Sequence, residues 1–404
     1  MVVRGSFQLM KSLNRSIILN KIRTDGPISR ADIAKATTLT PPTVSSIVKE
    51  LIDSGLIAES SQGESSGGRK PTNLIINGRN SYVIGLDVGP KHVNAILTDL
   101  NGEILEENQI LINPATSNDE LLNLLQQTIK RLIKPYKGQE DKIIGIGVGM
   151  HGVVDVKKGL SLFAPILQLR NIPIKEYLEK EFGILVKVEN DARALALGES
   201  WFGNGDGVEN SVTINVGSGI GAGIVINGKL FHGENDIGGE IGHMSIDING
   251  PECSCGNNGC LQTLAAGPAL AEKARREISK GKKSILKEMV KDNLEEIDGK
   301  LIYEAALKGD QLSIDIFKEA GEYLGIGLTN LIHTINPQKI IIGGGVSKAG
   351  DLLLDSVKET VKKRGITESA KQTEIVLSHL GDNGTAIGAV TLILVELFSH
   401  NSLG

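Results

Sequence analysis

The stretch GGEIGHMSIDINGPECSCGNNGC, residues 238–260, constrains this chain more than any other. It holds His243 and all three cysteines of the protein, Cys253, Cys255 and Cys260, in the spacing His-x9-Cys-x-Cys-x4-Cys. One imidazole and three thiolates make the closed tetrahedral set of a structural zinc site, with no position left for water. An odd, clustered set of cysteines points to metal rather than to disulfides. Gly256 and Gly259 permit the tight turns that aim three sulfurs at one point. Any fold of this chain must bring these four side chains together around Zn2+.

At 404 residues the chain exceeds one ordinary core, so two or three domains are expected. Charge divides it. Residues 1–80 hold 11 Lys/Arg against 6 acids, while the whole chain carries −5, so a basic head precedes an acidic body. Such a division suggests that only the head meets a polyanion. Aromatic residues are 3% of the chain, too few for single-strand stacking platforms. No run approaches the roughly 18 apolar residues that a membrane span needs. The N-terminal MVVRGSFQLMKSLNRS has no signal-peptide core, so a cytoplasmic protein with no membrane partner is expected.

Within the head, residues 10–23 have helical apolar spacing that ends at Gly26-Pro27. Ser29 followed by Asp32 opens a short helix over 30–36. After a turn at 37–40, Pro41 and Pro42 suit the first turn of a second helix. Val44, Ile47, Val48, Leu51 and Ile52 form its apolar face, and Gly55 stops it. With the following GLIAES strand this is a winged helix-turn-helix pattern. Its second helix exposes Thr40, Thr43, Ser45, Ser46 and Lys49 toward double-stranded DNA. The wing ends in Gly67-Gly68-Arg69-Lys70-Pro71. Two glycines let the backbone lie deep in a groove, and Arg69, with Lys70 beside it, seeks the negative potential of an A·T-rich minor groove.

From residue 81 apolar runs alternate with helical patterns, including a helix over roughly 118–135, in an α/β body of two glycine-turn lobes. Two facing lobes make a cleft, the usual seat of a small ligand. In VENDARALALGE, Asn190-Asp191 falls between a buried strand and a helix. A carboxylate there is either a general base toward a hydroxyl or a helix cap. The stretch from Gly217 to Gly228 either brings amides to a phosphate or forms a tight hairpin.

Taken with these residues, the chain resembles the ROK family of repressors, open reading frames and sugar kinases, and most closely its xylose-repressor-type branch. The likeness rests on Glu240-Ile241-Gly242-His243, on the run from Cys253 to Cys260 and on Glu189-Asn190-Asp191. It implies a winged helix-turn-helix over 1–80 and a two-lobed ribonuclease-H/actin-like sugar-kinase fold. Lobe 1 would span 81–195, completed by the C-terminal helix 384–404, and lobe 2, with the zinc site, 196–383. In the family's kinases the residues matching Asn190 and Asp191 hold the sugar, and that Asp is the catalytic base. Those matching Glu240 and His243 contact sugar hydroxyls, and the His also binds zinc. Gln262 stands where the kinases have a second glutamate.

Other departures bear on activity. His151 replaces the proline of a Pro-Gly turn, and Pro165-Ile166-Leu167-Gln168-Leu169 lacks the kinases' asparagine and tryptophan. The kinases' Asp-x-Gly-x-Thr phosphate turn reads Asp87-Val88-Gly89-Pro90-Lys91, with one amide donor and the hydroxyl lost. The resemblance and the departures together imply a dimeric, sugar-responsive repressor on a palindromic operator and not an enzyme. The alternative is a sugar kinase using ATP with Asp191 as general base.

Overall fold

The computed structural model describes residues 7–62 and 72–398. The head begins with the helix Phe7–Asp25, longer at both ends than its spacing marks. Ser29 caps the helix Arg30–Thr37: its Oγ accepts from the Asp32 amide at 3.2 Å and donates to the Asp32 carboxylate at 2.7 Å. Thr40 caps the helix Pro41–Asp53, which buries Val44, Ile47, Val48 and Leu51. Strands Ile28–Ser29, Thr72–Ile76 and Ile57–Gln62 lie in that order in one antiparallel sheet. Helix, turn, helix and hairpin make a winged helix-turn-helix. The stretch carrying Gly67, Gly68, Arg69, Lys70 and Pro71 lies outside the described residues.

Two five-stranded sheets with one topology build the body. In the first, Tyr82–Val88 is flanked by antiparallel His92–Asp99 and Ile104–Leu111 on one side. On the other side lie parallel Ile143–Met150 and Leu185–Asn190. In the second, Ser211–Val216 has antiparallel Ile220–Ile226 and Lys229–Phe231 on one side and parallel Lys339–Gly343 and Glu374–Leu377 on the other. Antiparallel pairs are joined by short turns and parallel ones by helical crossovers, as chain geometry requires. The GSGIGAGIVING stretch resolves as hairpins: Gly217-Ser218-Gly219 turns one, and Asn227-Gly228, with φ of 52° and 69°, turns the next.

Between the sheets run two helices. Asp191–Phe202 packs on the second sheet, and the C-terminal helix Gly384–Phe398 packs on the first and against Asp191–Phe202. Glycines set this close approach. A Cβ on Gly147 would stand 1.7 Å from the Ala389 carbonyl oxygen, and one on Gly388 1.8 Å from that of Ala194. The segment Gly381–Phe398 is long and apolar enough to cross a membrane, contrary to the expectation that no run comes near that length. Its place between a sheet and a helix explains its composition: a helix covered all round is apolar all round.

The head shares a core with the body. Ile18, Leu19 and Ile22 of the first helix join Val83, Val390, Leu394 and Phe398 in one buried cluster. Asn20 Nδ2 donates to the Phe398 carbonyl at 3.1 Å, and the Arg23 guanidinium lies 4.1 Å over the Trp201 ring.

Candidate functional site

At the carboxyl ends of the parallel strands, where α/β sheets hold ligands, stands Asp191. Strand Leu185–Asn190 ends there, and the cap of the next helix is Asn190, not Asp191. Asn190 Oδ1 accepts from the Ala192 and Arg193 amides at 3.0 and 3.2 Å. Its Nδ2 donates to the Gly152 carbonyl at 2.9 Å and to Asp191 Oδ1 at 3.0 Å. Capping by the neighbour frees Asp191 to face the cleft, where Asn215 Nδ2, from the second sheet, donates to Oδ2 at 3.3 Å.

Three acids gather here. Burial and then the Asp191 charge push Asp87 up to about 8. Burial raises Asp191 as well, opposed by the His151 ring. Glu240 is raised by burial, with His243 and Arg193 opposing and Asp191 adding to the rise. Each carboxylate resists charge, as groups crowded in a low-dielectric site must. Such clustering of perturbed acids marks functional clefts.

Beside them a buried ion network ties the two lobes. Glu189 Oε1 accepts from Arg193 Nε and its Oε2 from His232 Nε2, both at 2.7 Å. Arg193 Nη1 donates to the Asp236 carbonyl at 2.8 Å. Burial alone would raise Glu189, but His232 and Arg193 outweigh it and hold the carboxylate below its usual range.

His243, Cys253, Cys255 and Cys260 converge as the spacing demands, their ligand atoms all within 4.8 Å of one another. His243 Nδ1 lies 3.6 Å from Cys253 Sγ, and Cys255 Sγ 3.7 Å from Cys260 Sγ. Those are the edge lengths of a tetrahedron around an ion about 2.3 Å from sulfur and about 2.0 Å from nitrogen, so the donor set fits a metal. Cys253 and Cys260 are buried and Cys255 is exposed, an arrangement of donors that a cation completes. Gln262 Nε2 donates to Cys253 Sγ at 3.4 Å. Glutamine at this position therefore faces the sulfur cluster, and its distance to a ligand is set by that contact.

The turn after Asp87 is a tight hairpin. The Gly89 amide donates to the His92 carbonyl at 3.1 Å within the hairpin, and Pro90 has no amide hydrogen. Lys91 is exposed. In the head, Ser45, Ser46 and Lys49 are exposed, and Thr40 and Thr43 pair their hydroxyls at 2.8 Å. Thr40 is at the same time the helix cap, so these two threonines stand at the helix entrance while Ser45, Ser46 and Lys49 line its open face.

Sequence reasoning did not find Asn215, Arg193 or His232. A signal for Asn215 was present: Asn215-Val216-Gly217 repeats Asp87-Val88-Gly89, each at the end of an apolar run and each on the central strand of its sheet. Arg193 sits in an apolar helix pattern and His232 in a glycine-rich loop, where nothing local marks them.

A winged helix-turn-helix joined to a two-lobed body with paired ribonuclease-H-type sheets defines a class: a sugar-kinase-like body carrying a DNA-binding head. The chain belongs to the ROK family, which residues 83–396 match, and residues 14–58 match the winged helix-turn-helix DNA-binding family. It is 33% identical over 395 residues to a xylose repressor of Caldicellulosiruptor bescii, covering 98% of both chains. It resembles the crystal structure of a ROK family transcriptional regulator, a homolog of the E. coli MLC protein, with TM-score 0.85 and 32% identity over 98% of both chains. A ROK family glucokinase from Streptomyces griseus, solved with glucose and AMPPNP, matches 77% of this chain and 99% of its own at 31% identity and TM-score 0.71.

Proposed function

We propose that this protein is a sugar-responsive transcriptional repressor of carbohydrate-use genes, xylose metabolism among them, and not a kinase. One observation carries the reading: Asp191, Glu240 and His243 lie close enough for their charges to interact, while the Gly89-Pro90-Lys91 turn offers no amide hydrogen at Pro90 and no hydroxyl at Lys91. The similarity to a named xylose repressor over nearly the whole chain supports it.

In this reading the head, residues 1–80, binds operator DNA as a homodimer in the cytoplasm. Ser45, Ser46 and Lys49, with Thr40 and Thr43 at the helix entrance, face the major groove, and Arg69 and Lys70 enter flanking A·T-rich minor grooves. The body divides into lobe 1 at 81–195, completed by 384–404, and lobe 2 at 196–383. Sugar sits between them, held by Asp191, Glu240 and His243, with Asn190 contributing by exchanging its bond to Asp191 and Gln262 from the edge of the cysteine cluster. Zinc is the metal that His243 Nδ1 and the three thiolates would hold, and its chemistry is structural. With Nδ1 so engaged, the His243 Nε2–H becomes a donor of fixed direction toward a hydroxyl.

The route from cleft to head is a single helix. Asp191 begins it, and Trp201 near its end lies under Arg23 of the head. A sugar moves this helix only by as much as it prefers one lobe closure over another. The test is a panel of pentoses, hexoses and N-acetylated sugars scored for release of the protein from the DNA upstream of its own gene. A sugar that releases it supports the reading; retention with every sugar, together with sugar phosphorylation by ATP, overturns it.

A further inference from the structure

His151 follows the strand Ile143–Met150, in the floor of the cleft and between the strand ends that carry Asp87 and Asn190. The residue is 6% exposed. Nδ1 lies 3.0 Å from the Val88 carbonyl oxygen, which also accepts from the His151 amide at 3.2 Å. A carbonyl oxygen can only accept, so Nδ1 carries the proton and a neutral ring presents Nε2 as a bare lone pair. That Nε2 is buried and has no hydrogen-bond partner among the described residues. The two ring nitrogens point apart, so Nε2 faces away from Val88. A buried acceptor without a donor is rare in folded proteins and calls for one.

The groups around it are mixed. Asp191 and Glu240 bring carboxyl oxygens, Asn190 and Asn215 bring side-chain amides that donate to Asp191, and Arg193 Nη2 is buried without a partner among the described residues. Converging donors and acceptors match a polyhydroxylated ligand, whose hydroxyls act as both.

We infer that His151 is a specificity-determining contact of the effector, its Nε2 accepting a hydrogen bond from a hydroxyl of a sugar. This rests on reading the cleft as a sugar site. It assigns the proline-to-histidine departure at this position a role: the ring adds an acceptor that a proline cannot offer.

The test uses the full chain, with D-xylose, D-glucose, N-acetylglucosamine, glucose 6-phosphate and N-acetylglucosamine 6-phosphate as probes in calorimetry. His151→Asn keeps an amide donor in the place of Nδ1–H for the Val88 carbonyl and removes the Nε2 acceptor. The expected result is binding of at least one of these probes and a loss of about tenfold or more in its affinity in His151→Asn. Melting temperature and sugar-free operator affinity should stay at the parent's values, which a merely packed histidine would not ensure. His151→Gln, whose side-chain oxygen reaches toward the Nε2 position, should recover part of the affinity. Equal sugar affinity in parent and His151→Asn overturns the role of His151 and leaves the repressor reading standing. No binding of any probe to the parent ends both the inference and the sugar-site reading.

Discussion

Two hairpin turns occupy the same place in the two lobes and have become different things. In lobe 1 the strand Tyr82–Val88 runs through Asp87 into Gly89-Pro90-Lys91; in lobe 2 Ser211–Val216 runs through Asn215 into Gly217-Ser218-Gly219. Both central strands have the same neighbours in the same directions. The lobe 2 turn is bonded as well, its Gly217 amide donating to the Gly219 carbonyl at 2.9 Å, but Ser218 and Gly219 keep their amide hydrogens and Ser218 its hydroxyl. The lobe 1 turn has lost an amide to proline and a hydroxyl to lysine. A phosphate held between two lobes needs donors from both, so altering one turn is enough to remove a nucleotide's grip while the fold and the sugar side persist. Topology is retained by packing; chemistry is retained residue by residue.

The lobes also differ in what supports them, and that difference can be broken. The lobe 2 face of the cleft hangs on the His243–Cys260 cluster, so chelation or Cys260→Ser should cost at least about 3 kcal/mol and abolish any effector response. Metal content and thermal denaturation with and without chelator check this; an unchanged melting temperature contradicts a structural metal. Lobe 1 hangs instead on its glycine contact with the C-terminal helix. Gly147→Ala should destabilise by about 2–3 kcal/mol, read from urea unfolding, because backbone on both sides of the 1.7 Å clash must give way.

Rewriting one turn as the other sharpens the comparison further. Pro90→Gly with Lys91→Thr restores an amide and a hydroxyl, and ATP affinity should rise about tenfold over the parent, an effect worth about 1.4 kcal/mol. No gain would mean that the loss of nucleotide binding lies elsewhere. The smallest expected effect comes from making lobe 1 match lobe 2 at the residue before the turn. Asp87 in the folded protein titrates at about 8 against an ordinary 3.8, so its contribution to stability is full below about 3.8 and is lost as pH rises toward 8. Asp87→Asn cannot ionise and should melt about 2–4 °C above the parent at pH 8, with the difference vanishing toward pH 4. A pH-independent difference would contradict the charge crowding inferred at the cleft.

Much of this was legible in the chain. The helix cap at Ser29, the proline-started second helix and the metal spacing are local devices: each depends on residues within a few positions, and each formed as the pattern required. The question at Asn190-Asp191 could not be settled from spacing, since either side chain can reach the first amides of the helix; the fold gives the cap to Asn190. What stayed hidden was long-range. Asn215 reaches Asp191 across the cleft, Arg193 and His232 meet Glu189 from different elements, and Arg23 stacks on Trp201. These contacts join residues far apart in the chain, and no periodicity encodes them. The C-terminal helix was hidden for another reason: its all-apolar surface reads the same whether lipid or protein covers it.

The account's central claim is that one helix carries a signal from the cleft at Asp191 to the head. The direct measurement is operator affinity, by fluorescence anisotropy on the DNA upstream of the gene, with and without saturating sugar, in the parent and in Asp191→Ala. The account predicts that sugar changes the parent's operator affinity by about 5- to 150-fold, the usual span of such coupling, and that Asp191→Ala binds operator as the parent does but no longer responds. A parent indifferent to every sugar, or an Asp191→Ala variant that responds like the parent, would contradict it.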